Sequence, residues 1–172
     1  TVFSYDEENF QEKEITSAGE IVPFLQAGTV TWVNVDGLQN VELIEQIGQV
    51  FHLHPLSLED IVNTGQRPKM EDYGDYLFVV LKMLTHTDHA QQLDSEQISL
   101  VIGRNFVLSF QEDVGDVFDS LRQRIRTGKG RGRKMGADYL AYSLIDAVVD
   151  GYFVILERLG EEIEDVESEV LN

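Results

Sequence analysis

Apolar positions change period several times along the chain, and each change marks an element. Residues 29–35 set β-branched and aromatic side chains around Trp32 in a strand-like alternation, and Asp36-Gly37 supplies the closing turn. Residues 2–5 form a second short strand, and 17–27 predict a short helix stopping before Gly28. Val41, Ile44, Ile47 and Phe51 recur at 3-3-4 spacing, the stripe of an amphipathic helix over 41–51. His54-Pro55 opens another helix over 56–62, with Gly65 beyond its end. Residues 76–84 are almost uniformly apolar, as in a strand covered on both faces, and 97–102 with 105–111 read as a hairpin around Gly103-Arg104. A helix over 113–126 begins near Asp116 and ends in arginines, matching the helix dipole. The last element starts near Ala137 and runs for about 35 residues, roughly 50 Å, broken at most at Gly151 and Gly160.

Helices interleaved with strands predict an α/β fold, a mixed sheet covered by helices. With 172 residues, 42% of them apolar, the chain is sized for one ordinary domain, which excludes disorder, collagen-like repeats and a disulfide scaffold. The absence of cysteine removes thiolate metal sites and cysteine nucleophiles and fits a reducing compartment, with the cytosol as the default. No uninterrupted apolar run approaches the roughly 18 residues of a membrane helix, so the chain itself is not expected to cross a bilayer. It opens at Thr1 without a signal sequence, and its last apolar pattern is still running at Asn172, so it reads as part of a longer protein.

Charge is uneven. The formal total is −18, yet residues 122–134 carry seven basic side chains and no acidic one; without those seven positive charges the remainder stands at −25. A body this acidic repels phosphate backbones, so a nucleic-acid binder is not expected. The basic stretch has glycines at 128, 130 and 132 and no aromatic residue, and reads as a mobile, solvated loop rather than a platform for bases. Between Glu157 and Glu169 seven carboxylates surround Leu159, Ile163, Val166 and Val170, whose 4-3-4 spacing forms one face of an acidic amphipathic helix seeking partner helices.

Nucleotide and acyl-transfer chemistry lack their motifs, since neither a phosphate-cradling glycine loop nor a nucleophile elbow is present. His52 with His54 and His86 with His89 have spacings a metal tolerates but no partner ligands; the simpler reading makes His54 a helix-starting residue and leaves the others at surfaces or strand ends. Adjacent carboxylates at Glu59-Asp60, and Asp146 and Asp150 one helical turn apart, suit a hard cation such as Mg²⁺, which keeps most of its waters. Spacing alone equally fits solvated helix faces.

Read together, HPLSLEDI at 54–61, QRPKMEDYGDYLFVVLKML at 66–84, SEQISLV at 95–101, FVLSFQE at 106–112, GDVFDSLRQRIR at 115–126 and ADYLAYSLIDAVVDGYFVILE at 137–157 resemble the cytoplasmic part of the CorA family of magnesium and cobalt transporters. TWVNVDG at 31–37 resembles the strand before that family's first helices, and the first 30 residues match least. The resemblance implies an αβα sandwich with a central mixed parallel and antiparallel sheet over 1–136. The long acidic helical region starting within 137–172 would belong to the same structural unit and lead toward membrane helices beyond this chain. It implies a homopentameric channel at the cell membrane, this part facing the cytoplasm and lacking the Gly-Met-Asn motif of the pore mouth.

Carried over by position, Asp60 matches the family's main regulatory cation ligand, opposite an acidic residue of the neighbouring subunit. Glu59 and Asp146 match an adjoining cation position, and Asp150 is an addition suggested by its one-turn spacing. Mg²⁺ is then the expected cofactor, with Co²⁺ or Ni²⁺ as substitutes, and its binding between subunits favours the closed pore. The expected role is sensing and gating rather than catalysis. Two competing readings are a Mg²⁺-dependent phosphohydrolase built on Glu59, Asp60 and Asp146, and a metal-independent oligomeric scaffold.

Overall fold

The computed structural model describes residues 1–26, 28–87 and 92–170. Strand alternation sorts side chains onto the two faces of one sheet: in β3 (Val30–Asp36) Trp32 joins one hydrophobic cluster and Val33 the other. The remaining strands are β1 (Val2–Tyr5), β2 (Phe10–Lys13), β4 (Lys69–Asp72), β5 (Tyr76–Thr87), β6 (Gln92–Gly103) and β7 (Phe106–Gln111). Among the described residues the seven strands lie in the order β2-β1-β3-β7-β6-β5-β4, with β3 and β7 parallel and the other neighbouring pairs antiparallel.

Helices close both faces, which gives the expected αβα sandwich and mixed sheet. On one face α1 (Val41–Val50) and α2 (Pro55–Val62) bury Ile44, Ile47 and Ile61 against Val33, Phe78, Val101 and Phe110. On the other, α3 (Asp119–Thr127) and α4 (Ala137–Val170) bury Leu121, Ile125, Leu140, Leu144 and Val148 against Trp32, Val79, Ile98 and Val107. Each such side chain contributes about 1.5–3 kcal/mol when fully buried, so removing either helical layer would expose far more apolar surface than the fold's margin tolerates.

A run of polar side chains inside this core is linked by hydrogen bonds, although Gln111 Oε1 is buried without a partner among the described residues. The Trp32 indole N–H donates to Ser109 Oγ at 2.9 Å, whose hydroxyl donates to Asn34 Oδ1 at 2.6 Å. Asn34 and Gln111 then both donate to Asp36 Oδ1, at 2.9 and 2.6 Å. These residues sit in register on the parallel pair, Asn34 opposite Ser109 and Asp36 opposite Gln111, so the network ties β3 to β7.

Several elements differ from the sequence expectation. The first helix is a 3-10 turn, Ala18–Phe24, with Pro23 inside it; Ala27, the expected end, lies outside the described residues. Strands β2 and β4 are short, polar and at the sheet's edges, where no hydrophobic alternation is needed. Helix α3 starts six residues later than 113, because Gly115 takes φ 113° and Asp116 accepts the Phe118 N–H at 2.8 Å in a turn preceding the helix. The β6–β7 hairpin falls where expected, pairing Ile102 with Val107.

The basic stretch is not simply a solvated loop. Arg122 pairs with Asp116 and with Asp119, Arg126 with Glu12 at 2.6 Å and Lys134 with Glu7 at 2.9 Å. Arg133 donates to the carbonyls of Ile125 and Arg126 and lies over the Phe10 ring. The segment thus clamps the β1–β2 hairpin, and the glycines allow its turns, Gly128 at φ 65° ending α3.

Helix α4 continues unbroken through Gly151 and Gly160 for 34 residues. A window within residues 137–168 reaches a mean hydropathy of 1.5, enough in length and composition to cross a membrane. The sequence expectation counted only charge-free runs, and a mean tolerates scattered charges. Part of this apolarity belongs to the core, since Leu140, Leu144 and Val148 are buried on the sheet. Further along, Phe153, Val154, Leu156, Leu159, Ile163 and Val166 are exposed.

Candidate functional site

Helix α2 carries the Glu59-Asp60 pair, and its placement follows from its ends. His54 Nδ1 accepts the Leu56 N–H at 3.2 Å, and Pro55 occupies the first turn, where a missing donor costs nothing. The expected helix-starting role of His54 is therefore observed. Ile61 is fully buried, Ser57 Oγ lies 2.8 Å from the Tyr76 hydroxyl, and that hydroxyl accepts the His54 N–H at 3.0 Å. Gln97 Nε2 donates to the Asp60 carbonyl at 3.0 Å, while Gln97 Oε1 accepts the Gln66 N–H at 3.3 Å. Both ends of α2 are thus pinned to inner strands.

The two carboxylates then face different surroundings. Glu59 is exposed and borders an apolar cleft of about 480 Å³ between α1 and α2, lined by Val41, Ile44, Pro55, Leu58 and Val62. Asp60 is 17% exposed and accepts from Lys69 Nζ through Oδ2 at 2.6 Å; Oδ1 has no partner among the described residues. Lys69 also reaches Glu71 Oε1 at 3.1 Å and lies 5.9 Å from the Phe78 ring centre. The bond to Asp60 holds the Lys69 ammonium above its ordinary pKa, and Lys69 in turn holds the Glu71 carboxyl below its own.

Asp146 and Asp150 are exposed on α4. The Asp146 charge raises the pKa of the neighbouring Tyr142 phenol, also exposed on that helix. Helix α4 covers the face of the sheet opposite α2. The structure therefore places Glu59 and Asp60 on α2, facing different surroundings, and Asp146 and Asp150 on α4, and it does not bring one pair to the other. Among the described residues no group of three or more histidine or carboxylate side chains is arranged to hold a metal ion. All four candidate donors are carboxylates, which fits a hard divalent cation that retains waters, with one or two protein ligands from each pair. His52 sits at positive φ and is exposed, the His86 side chain is not described, and His89 lies outside the described residues.

Sequence reasoning missed Lys69, Gln97 and Tyr76. Lys69 left a faint signal as the one cation in the acidic segment KMEDYGD; for buried Gln97 no local pattern tells a pin from a surface glutamine.

Residues 27–172 match the family model described as CorA-like Mg²⁺ transporter protein. Over 170 residues the chain is 48% identical to the cobalt/magnesium transport protein CorA of Thermotoga maritima, covering 99% of this chain and 48% of that protein. The chain thus spans about half the length of that relative. The soluble domain of CorA from Methanocaldococcus jannaschii superposes with a TM-score of 0.71 at 16% identity, covering 99% of this chain and 64% of that one. The ZntB cytoplasmic domain from Vibrio parahaemolyticus gives 0.70 at 13% identity, covering 95% and 63%. At such identities these two likenesses are of fold alone.

Proposed function

The chain belongs to the CorA-like Mg²⁺ transporter family, and on that premise we propose that it is the cytoplasmic, divalent-cation-sensing and gating domain of a CorA-type Mg²⁺/Co²⁺ channel, working as a homopentamer at the cell membrane. Asp60 is the first ligand, Glu59 and Asp146 make an adjoining position, and Asp150 adds to it. The observation that carries this reading is the separation of the two acidic pairs onto α2 and α4, on opposite faces of one sheet. No ion reaches both pairs within one chain, so a shared ion requires a neighbouring subunit.

A bound divalent cation would supply positive charge between carboxylates of adjacent subunits. Two carboxylates that hold no cation of their own and lie 4 Å apart at an effective dielectric of 20 repel by about 4 kcal/mol, so the unpaired carboxylates of the seam push neighbours apart. Asp60 is already partly neutralised by Lys69. Ring symmetry repeats the contact at every seam, and a modest preference per seam sums over the ring. High internal Mg²⁺ then favours the closed pore and depletion releases it. The name of the Thermotoga maritima relative supports Mg²⁺ and Co²⁺ as the cations; Ni²⁺ is the further substitute to test.

In the full-length channel, Asp60→Ala should raise the Mg²⁺ concentration that half-closes the pore by roughly tenfold or more. An unchanged concentration removes Asp60 from this role. Turnover in a phosphatase and nucleotidase panel with Mg²⁺ or Co²⁺ would instead favour the phosphohydrolase reading, whereas the sensor is expected to show none.

A further inference from the structure

Lys69 already occupies part of the position that a cation on Asp60 would need. Its Nζ sits 2.6 Å from Asp60 Oδ2, and the pair is partly withdrawn from water, with side-chain exposures of 28% and 17%. A carboxylate holding an ammonium at hydrogen-bond distance presents little net charge to an approaching ion, and that ion meets a like charge beside the oxygen it seeks. The ammonium also has a second seat. Glu71 Oε1 is 3.1 Å from the same Nζ and its side chain is 40% exposed, so the flexible four-carbon arm need only give up one of two existing contacts to free Asp60.

Resting on the reading of Asp60 as a cation ligand, we propose that Lys69 is the built-in competitor for that site: its ammonium holds Asp60 until a divalent cation displaces it onto Glu71, and it thereby sets both the filling concentration and the preference for divalent over monovalent ions. The preference follows from charge. Replacing an ammonium by Na⁺ or K⁺ exchanges one positive charge for another, whereas a divalent ion brings one more than it displaces. A lysine that merely positioned Asp60 would have the opposite signature, because its loss would weaken cation binding.

The test is Mg²⁺ binding to the full-length protein in detergent, followed by calorimetry, with Mn²⁺ binding followed by electron paramagnetic resonance. Lys69→Met should lower the half-saturating concentration by roughly tenfold and should let 100 mM-scale Na⁺ compete where it does not in the wild type. Lys69→Gln is the second variant, expected to shift the same way, and thermal melts report whether each one folds. Lys69→Arg keeps the charge and a better fork for the carboxylate, so its half-saturation should stay at or above that of the wild type. Lys129→Met, which deletes a charge in the basic loop, should change nothing. In an Asp60→Asn background the Lys69→Met gain should vanish. Unchanged or weaker binding in Lys69→Met, with Asp60→Asn still impaired, overturns the competitor role and leaves Asp60 as a ligand. Unchanged binding in Asp60→Asn overturns the ligand assignment itself, and the competitor role with it.

Discussion

The side-chain amide of Gln97 donates to the backbone carbonyl oxygen of Asp60 at 3.0 Å, tying an inner strand to the last turn of the helix that carries the acidic pair. Gln97 is 1% exposed and also receives the Gln66 N–H through Oε1, so one side chain fixes both the helix and the chain leaving it. Gln97→Ala takes the side-chain partner from those two part-buried backbone groups and should cost about 1–3 kcal/mol in urea unfolding. It should also weaken Mg²⁺ binding several-fold, although Gln97 is not itself proposed as a ligand. Lost stability with unchanged cation affinity would show that Asp60 keeps its position without the pin.

The hydroxyl of Ser109 is the hinge of the buried chain from Trp32 to Asn34. Ser109→Ala removes the acceptor for the indole N–H and the donor to Asn34 Oδ1 in one step, at a residue with no exposed surface. The expected loss is about 2–4 kcal/mol, more than a lone serine truncation costs at a surface. Denaturant titration checks it, with the slope unchanged if only the native state is affected. A loss below about 0.5 kcal/mol would mean that water replaces the hydroxyl.

Elements whose own side chains fill the core were legible in the sequence. The stripe of α1, the apolar run of β5 and the β6–β7 hairpin all announce themselves because burial dictates their residue types. Strands β2 and β4 do not, since edge strands are held by backbone bonds and their FQEK and KMED sequences satisfy water as well as a sheet. The basic stretch looked solvated because its partners Glu7 and Glu12 lie more than 110 residues earlier in the chain. For the candidate site, Glu59, Asp60, Asp146 and Asp150 were named from spacing and resemblance, but their division between opposite faces needed the sheet order. The Lys69 contact crosses a turn between a helix and an edge strand, and no residue pattern encodes such a pairing.

Acid sensitivity follows from Glu20, whose carboxyl is pushed down to about 2 by Lys13 and by the Thr16 N–H. A folded-state pKa below the ordinary 4.5 means that the unfolded chain takes up the proton first. The stabilisation is therefore complete above about pH 4.5 and is lost as the pH falls toward about 2. Glu20→Gln should melt lower than the wild type near neutral pH, and the two curves should converge on acidification. Melting temperatures followed by circular dichroism between about pH 2 and about pH 7 decide it; parallel curves would show that Glu20 titrates normally.

Opposite-face placement also makes a prediction about coupling. Glu59 and Asp146 sit on helices separated by the sheet, and residues that share no partners within a chain perturb binding additively. If they meet across a subunit seam, the same two substitutions become non-additive only where the seam exists. Glu59→Gln and Asp146→Asn, singly and together, should therefore show coupling of about 1 kcal/mol or more in Mg²⁺ binding to the assembled full-length protein. In the 172-residue chain kept dilute enough to remain monomeric, the effects should simply add. Calorimetric cycles in the two settings separate the possibilities. Coupling of equal size in both would place the interaction within one chain, against the sheet order, while additivity in both would remove Asp146 from the position assigned to Glu59.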